Sequence, residues 1–170
     1  MALKSDRSTL QTDISFFMNE AATRGGCVVL SAGGSGASMD NGAALVTYTP
    51  ASGTVPMGIL LNDMVNIDLT RQHLNQHKDE VQKGGKVTIL QKGWVVTNSL
   101  DCKTAPVAGD QAHVTRGGLI ANSGGNVATD SSATVDQPIG SFLSGIDEDG
   151  YAKVYVDLPG TFDRSPRTGI

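Results

Sequence analysis

The chain is a series of short apolar runs broken by glycine, and that punctuation confines it to short strands and tight turns. Two stretches nearly repeat each other. Gly25-Gly26 leads into Cys27-Val28-Val29-Leu30, a Gly/Ser-rich loop, and then Thr54-Val55-Pro56-Met57-Gly58-Ile59-Leu60. Gly117-Gly118 leads into Leu119-Ile120, a second such loop, and then Thr134-Val135-Asp136-Gln137-Pro138-Ile139-Gly140. Between them lies a hairpin-like block, Gly84-Gly85-Lys86-Val87-Thr88-Ile89-Leu90 followed by Gly93-Trp94-Val95-Val96-Thr97. Glycine accounts for 21 of 170 residues, where roughly 7% is usual. Val and Thr, at 15 each, pack well on a pleated sheet and lose rotamer freedom in a helix. The fold class expected is therefore mainly β.

A chain of 170 residues can bury a substantial core as one domain, and the internal echo leaves room for two similar halves. The chain is expected to divide into an N-terminal arm at 1–24, a β domain at 25–158 and a loosely ordered tail at 159–170. Within the domain, the halves 25–69 and 84–158 are joined by the polar segment 70–83. The net charge of −4 comes with no basic stripe, which argues against nucleic acid as a partner. The run Ile14-Ser15-Phe16-Phe17-Met18 is too short for a signal-peptide core or a bilayer span. The expectation is a soluble chain with no membrane partner. Cys27 and Cys102 do not make a disulfide framework and are expected as buried or idle thiols.

Along the chain, residues 12–22 read either as one or two helical turns or as an extended arm. Phe16 and Phe17 are adjacent and cannot share a narrow helical face. Two of the four phenylalanines thus stand in a segment that must dock somewhere, either on its own domain or on a partner. Strands are expected at 44–49, 55–61 and 65–69, and on either side of Gln91-Lys92. Two hairpins are expected, one across Arg116-Gly117-Gly118 and one across Asp147-Glu148-Asp149-Gly150, where glycine supplies the turn geometry. Residues 31–42 and 121–134 are loops by composition, and 70–82 is a short helix or an extended crossing segment.

Few constellations carry chemistry. His73 and His77 are spaced as two ligands on one helical face, yet Leu74 stands where a zinc protease needs its general-base Glu. The acidic run Asp147-Glu148-Asp149 lacks the spacing of a calcium loop and reads as a solvated hairpin tip. Lys83-Gly84-Gly85-Lys86 is not a phosphate loop, and no G-x-S-x-G elbow occurs. No metal, cofactor or catalytic residue is assigned, and the chain is not expected to be an enzyme. Trp94 reads as a core or interface anchor.

Residues 105–158 carry a resemblance. Ala108-Gly109-Asp110-Gln111-Ala112-His113, Gly117-Gly118-Leu119-Ile120, Pro138-Ile139-Gly140-Ser141-Phe142-Leu143 and Asp149-Gly150-Tyr151-Ala152-Lys153-Val154-Tyr155-Val156-Asp157-Leu158 together resemble the head decoration, or cement, proteins of tailed bacteriophages. Met57-Gly58-Ile59-Leu60-Leu61 and the block from Gly84 to Gly93 extend the likeness to about residues 25–158. The resemblance implies a small β-barrel or β-sandwich with Gly-rich loops. It implies a structural protein on the outer capsid surface of the virion, made in the host bacterial cytoplasm. Its partners would be the major capsid protein and further copies of itself, a trimer before a dimer. Ile14, Phe16, Phe17, Met18 and Trp94 are the candidate contacts with capsid or neighbouring subunit. The alternative is a carbohydrate- or receptor-binding β module on a virion or bacterial surface. One Trp and three Tyr leave few aromatics for a sugar platform.

Overall fold

The computed structural model of the 170-residue chain describes residues 3–32, 44–48, 55–63, 80–122 and 138–158. They form twelve strands: β1 (Leu3–Asp13), β2 (Phe17–Met18), β3 (Ala22–Thr23), β4 (Cys27–Ala32), β5 (Leu45–Thr47), β6 (Pro56–Asp63), β7 (Glu80–Val81), β8 (Val87–Thr97), β9 (Gln111–Val114), β10 (Ile120–Asn122), β11 (Pro138–Phe142) and β12 (Ala152–Asp157). Ten of them join in one sheet, in the order β10-β9-β11-β12-β8-β6-β4-β5-β2, with β1 added against β8. β3 and β7 pair separately. The mainly β expectation holds. Among the described residues no helix is long and apolar enough to cross a membrane.

β8 is the spine, and it corrects the expected hairpin. Residues 87–97 run as one continuous eleven-residue strand rather than two strands turning at Gln91-Lys92. Neither Gln91 nor Lys92 favours the positive φ that a two-residue hairpin turn demands. Gly93 does have a φ of +140°, but it serves a close approach instead of a turn. A β-carbon there would collide with the carbonyl oxygen of Ser8 in β1. One edge of β8 carries β1, from Leu3 opposite Thr97 to Asp13 opposite Ile89. The other edge is shared. β6 pairs with residues 87–90 and β12 with residues 92–97. One strand therefore belongs to two half-sheets, β6-β4-β5-β2 and β12-β11-β9-β10.

The halves close over a common core. Cys27, Val29, Ile59, Leu61 and Leu90 pack in one cluster with Val114, Ile120, Ile139, Phe142 and Val154, although β4 and β10 lie far apart in strand order. The sheet must fold over on itself at β8 to bring them together, as in a β-sandwich. The first half-sheet is apolar on both faces. Val28, Leu60 and Ile89 alternate with the residues of the main cluster and point into a second one, with Met18, Ala22, Val46, Val81 and Val87. Period-two alternation is what places them there. Residues after β1 cap this outer face, so the segment is extended and the helical alternative for 12–22 does not form.

Both short hairpins form as expected. β9 and β10 pair antiparallel across a 3-10 turn, Arg116–Gly118. β11 and β12 pair with Ser141 opposite Tyr155. The expected strand at 65–69, most of the segment 70–82, the greater part of both Gly/Ser loops and the tail at 159–170 lie outside the described residues.

Candidate functional site

The sequence candidates fall in two places. Ile14, Phe16, Phe17 and Met18 gather beside the start of β8, where Val87 N–H donates to the Phe16 carbonyl at 3.0 Å and Met18 N–H to the Gly85 carbonyl at 2.9 Å. Met18 is fully buried in the second core, and Phe16 packs against that core from its margin. Ile14 and Phe17 are half-buried. Phe17 pairs with Leu45 at the end of the sheet, with the Lys86 ammonium 5.8 Å from its ring centre. Glu20 ties the segment down further, accepting hydrogen bonds from the Thr47 hydroxyl and from Tyr48 N–H.

Trp94 lies on the other half-sheet, about seven residues or roughly 23 Å further along β8 from Val87. Val95 and Thr97 point into the core, so Trp94 and Val96 face outward. On β12 the same alternation buries Ala152, Val154 and Val156 and turns Lys153, Tyr155 and Asp157 out. Register then builds a row across the outer face: Ser8, Trp94, Tyr155, Ser141 and Gln111 stand opposite one another on β1, β8, β12, β11 and β9. The Lys153 ammonium sits 3.4 Å from the Trp94 ring centre, a cation–π contact. Lys92 and Asp157 form a 3.2 Å ion pair beside it. With a ring face taken by Lys153, Trp94 is a poor stacking platform for a sugar.

A second set of contacts fastens β1. The Lys4 ammonium is 3.0 Å from Asp147 Oδ2, 3.9 Å from Asp149 and 4.2 Å from the centre of the Tyr151 ring. Asp147 is not merely solvated. Its Oδ1 accepts from the N–H groups of Tyr151 at 2.7 Å and Asp149 at 3.1 Å, and so shapes the hairpin tip. The Tyr151 N–H first, and the Lys4 ammonium second, hold its carboxyl below the usual aspartate value. Residue spacing gives no hint of the Lys4 contact, because the partners are distant in sequence. Tyr155 and Lys153, by contrast, could have been read from the alternation of residues 152–157.

Exposed apolar side chains add to the surface. Leu10 on β1 is 67% exposed and Val107 is 65% exposed, with Leu143 and Ile146 on the neighbouring loop. A cleft of about 430 Å³ opens between the ends of the halves, lined by Ala21, Thr23, Tyr48, Ser99, Gly117 and Leu119. Among the described residues no three His, Cys, Asp or Glu side chains are grouped to hold a metal ion. His73 and His77 lie outside the described residues. Both cysteines are free thiols.

No curated protein matches the chain. A family model does, over residues 3–162, and its description is structural cement protein (E217 gp24/Pam3 gp6). The match takes in β1 as well as the glycine-broken strands that follow. With the whole described fold inside it, the chain belongs to the structural cement protein family of phages.

Proposed function

We propose that the chain binds the outer surface of an assembled phage capsid and bridges neighbouring capsomers, holding the expanded head together. The observation that carries this reading is the family match over residues 3–162. A protein that binds only the assembled shell stabilises it by mass action, and many weak contacts repeated over a lattice combine into a large effect. The role is adhesive, without catalysis or cofactor, in a homo-oligomer for which we favour a trimer. The chain is made in the host bacterial cytoplasm and joins the virion after the shell forms.

Ile14, Phe17 and Trp94 are the contacts we assign to the shell or a neighbouring subunit. Phe16 and Met18 act from below, by fixing the segment that presents Ile14 and Phe17. The test is co-sedimentation with empty expanded shells, alongside the mass of the free protein in solution. Saturable binding that fails for Trp94→Ala and Phe17→Ala supports the reading. A folded protein that never sediments with shells defeats it.

A further inference from the structure

We propose that the groove on β8 that seats β1 is also an interaction surface between copies, and that β1 of one copy can fill the groove of the next. This extends the homo-oligomer reading above by naming the contact. It stands or falls in solution, independently of any shell.

Three observations support exchange. First, β1 contributes little to its own core. Of its eleven residues only Leu3 is buried, and the others are half-buried or exposed. Second, every element of the seat belongs to the rest of the chain. Gly93 makes room for the Ser8 carbonyl. Gln91 donates through Nε2 to Asp13 at 3.2 Å and accepts from Gln11 at 2.9 Å. Asp147 receives Lys4. A β1 of identical sequence from another copy would meet the same partners. Third, β1 joins β2 through residues 14–16 alone, an extended link in which Asp13 Oδ1 accepts from Ser15 N–H at 2.7 Å and the Ser15 hydroxyl at 2.6 Å. A change of backbone direction confined to these three residues, with β2 kept in place, would carry β1 away from its own β8 and toward that of another copy.

Exchange creates no new pairing, so its balance depends on local concentration. Crowding copies on a lattice would favour it. The irregular ladder of β1, with register shifts after Leu3, Thr9 and Gln11, makes the pairing specific. A generic strand would not reproduce those offsets.

The experiment uses the full chain with Cys102→Ser to remove the half-exposed thiol, and places a cysteine pair at Gln11→Cys and Lys92→Cys, which are opposite each other in the ladder. The protein is refolded at high concentration and oxidised. The expected result is disulfide-linked species with the mass of two or more chains, whose share rises with concentration during refolding. The variant with Gln11→Cys alone should give several-fold less. Intrachain disulfides only, at every concentration, would overturn the proposal, as would equal cross-linking by the single-cysteine variant.

Discussion

Gly26 and Gly118 meet beside the ring of Tyr48, close enough that a β-carbon on Gly26 would lie 2.7 Å from the Gly118 carbonyl oxygen. These glycines belong to the two Gly-Gly pairs that open the near-repeats in the sequence. Each half-sheet contributes one, and the Tyr48 hydroxyl locks the junction, donating to the Thr23 carbonyl at 2.5 Å and accepting from Gly26 N–H at 3.1 Å.

Gly118→Ala should be the more damaging of two neighbouring substitutions. Gly117 and Gly118 have φ near +74° and +73°, so alanine is strained at either. At Gly117 the added carbon meets open space, whereas at Gly118 it collides with the Tyr48 ring. Denaturant unfolding should show a loss of about 1 kcal/mol for Gly117→Ala and about 3 kcal/mol for Gly118→Ala. Tyr48→Phe, which strands the Thr23 carbonyl and Gly26 N–H, should cost about 1–3 kcal/mol. Equal losses at the two glycines would rule out the packing argument.

Gly93→Ala should act on β1 in particular. The substitution strains a φ of +140° and drives a methyl group into the Ser8 carbonyl. We expect a destabilisation on the order of 3 kcal/mol. Amide exchange should show protection lost first across residues 3–13. Uniform loss over the whole sheet would contradict a local role.

Met18 and Phe17 are adjacent but should respond differently. Met18→Ala empties a fully buried position in the second core and should cost about 2–5 kcal/mol. Phe17→Ala removes a half-buried ring and should cost about 1 kcal/mol, with its larger effect on shell binding. Thermal unfolding paired with shell co-sedimentation separates the two roles.

The Lys4–Asp147 contact predicts a response to acid. The folded-state pKa of Asp147 is lowered, so its stabilising contribution is present above the ordinary value of 3.8 and fades as pH falls through the folded value. Carboxyl NMR titration should find the Asp147 midpoint below 3.8. Lys4→Gln should move it upward without restoring the ordinary value, because the Tyr151 N–H is the larger cause. Lys4 has a raised pKa, so its own share persists below 10.5 and is lost as pH rises through the folded value.

The two thiols should differ in reactivity. Burial pushes the Cys27 thiol up to about 12, so almost none is ionised at neutral pH. Burial also raises Cys102, which stays partly accessible. A thiol reagent at pH 8 should label Cys102 slowly in the native protein and Cys27 only after unfolding. Fast labelling of Cys27 would mean that β4 opens locally.

Elements set by local chemistry were legible from the sequence. The Asp147–Gly150 and Gly117-Gly118 turns announced their hairpins, because few other residues take those conformations. β8 was misread since Gly93 looks like turn punctuation. Its true cause is the Ser8 backbone, which no local pattern reveals. β1 carried little signal because only Leu3 is buried, and a strand with one core residue has no alternation to read. The pairing of Gly26 with Gly118 was hidden in the same way: each pair stood out, but their meeting depends on the whole sheet folding over. Among the surface residues, Trp94 was visible by its rarity, while Lys153, which covers part of its ring, is placed by register.

Because one strand belongs to both half-sheets, the molecule has a built-in load path. A force entering at the acidic hairpin and leaving at the Lys83–Lys86 turn travels along β8, with β1 bonded beside it from Leu3 to Asp13. Sliding β1 past β8 would strain that ladder's hydrogen bonds together, whereas peeling from one end would break them in succession. A sheet built this way should resist stretch along one axis better than it resists being lifted at a corner.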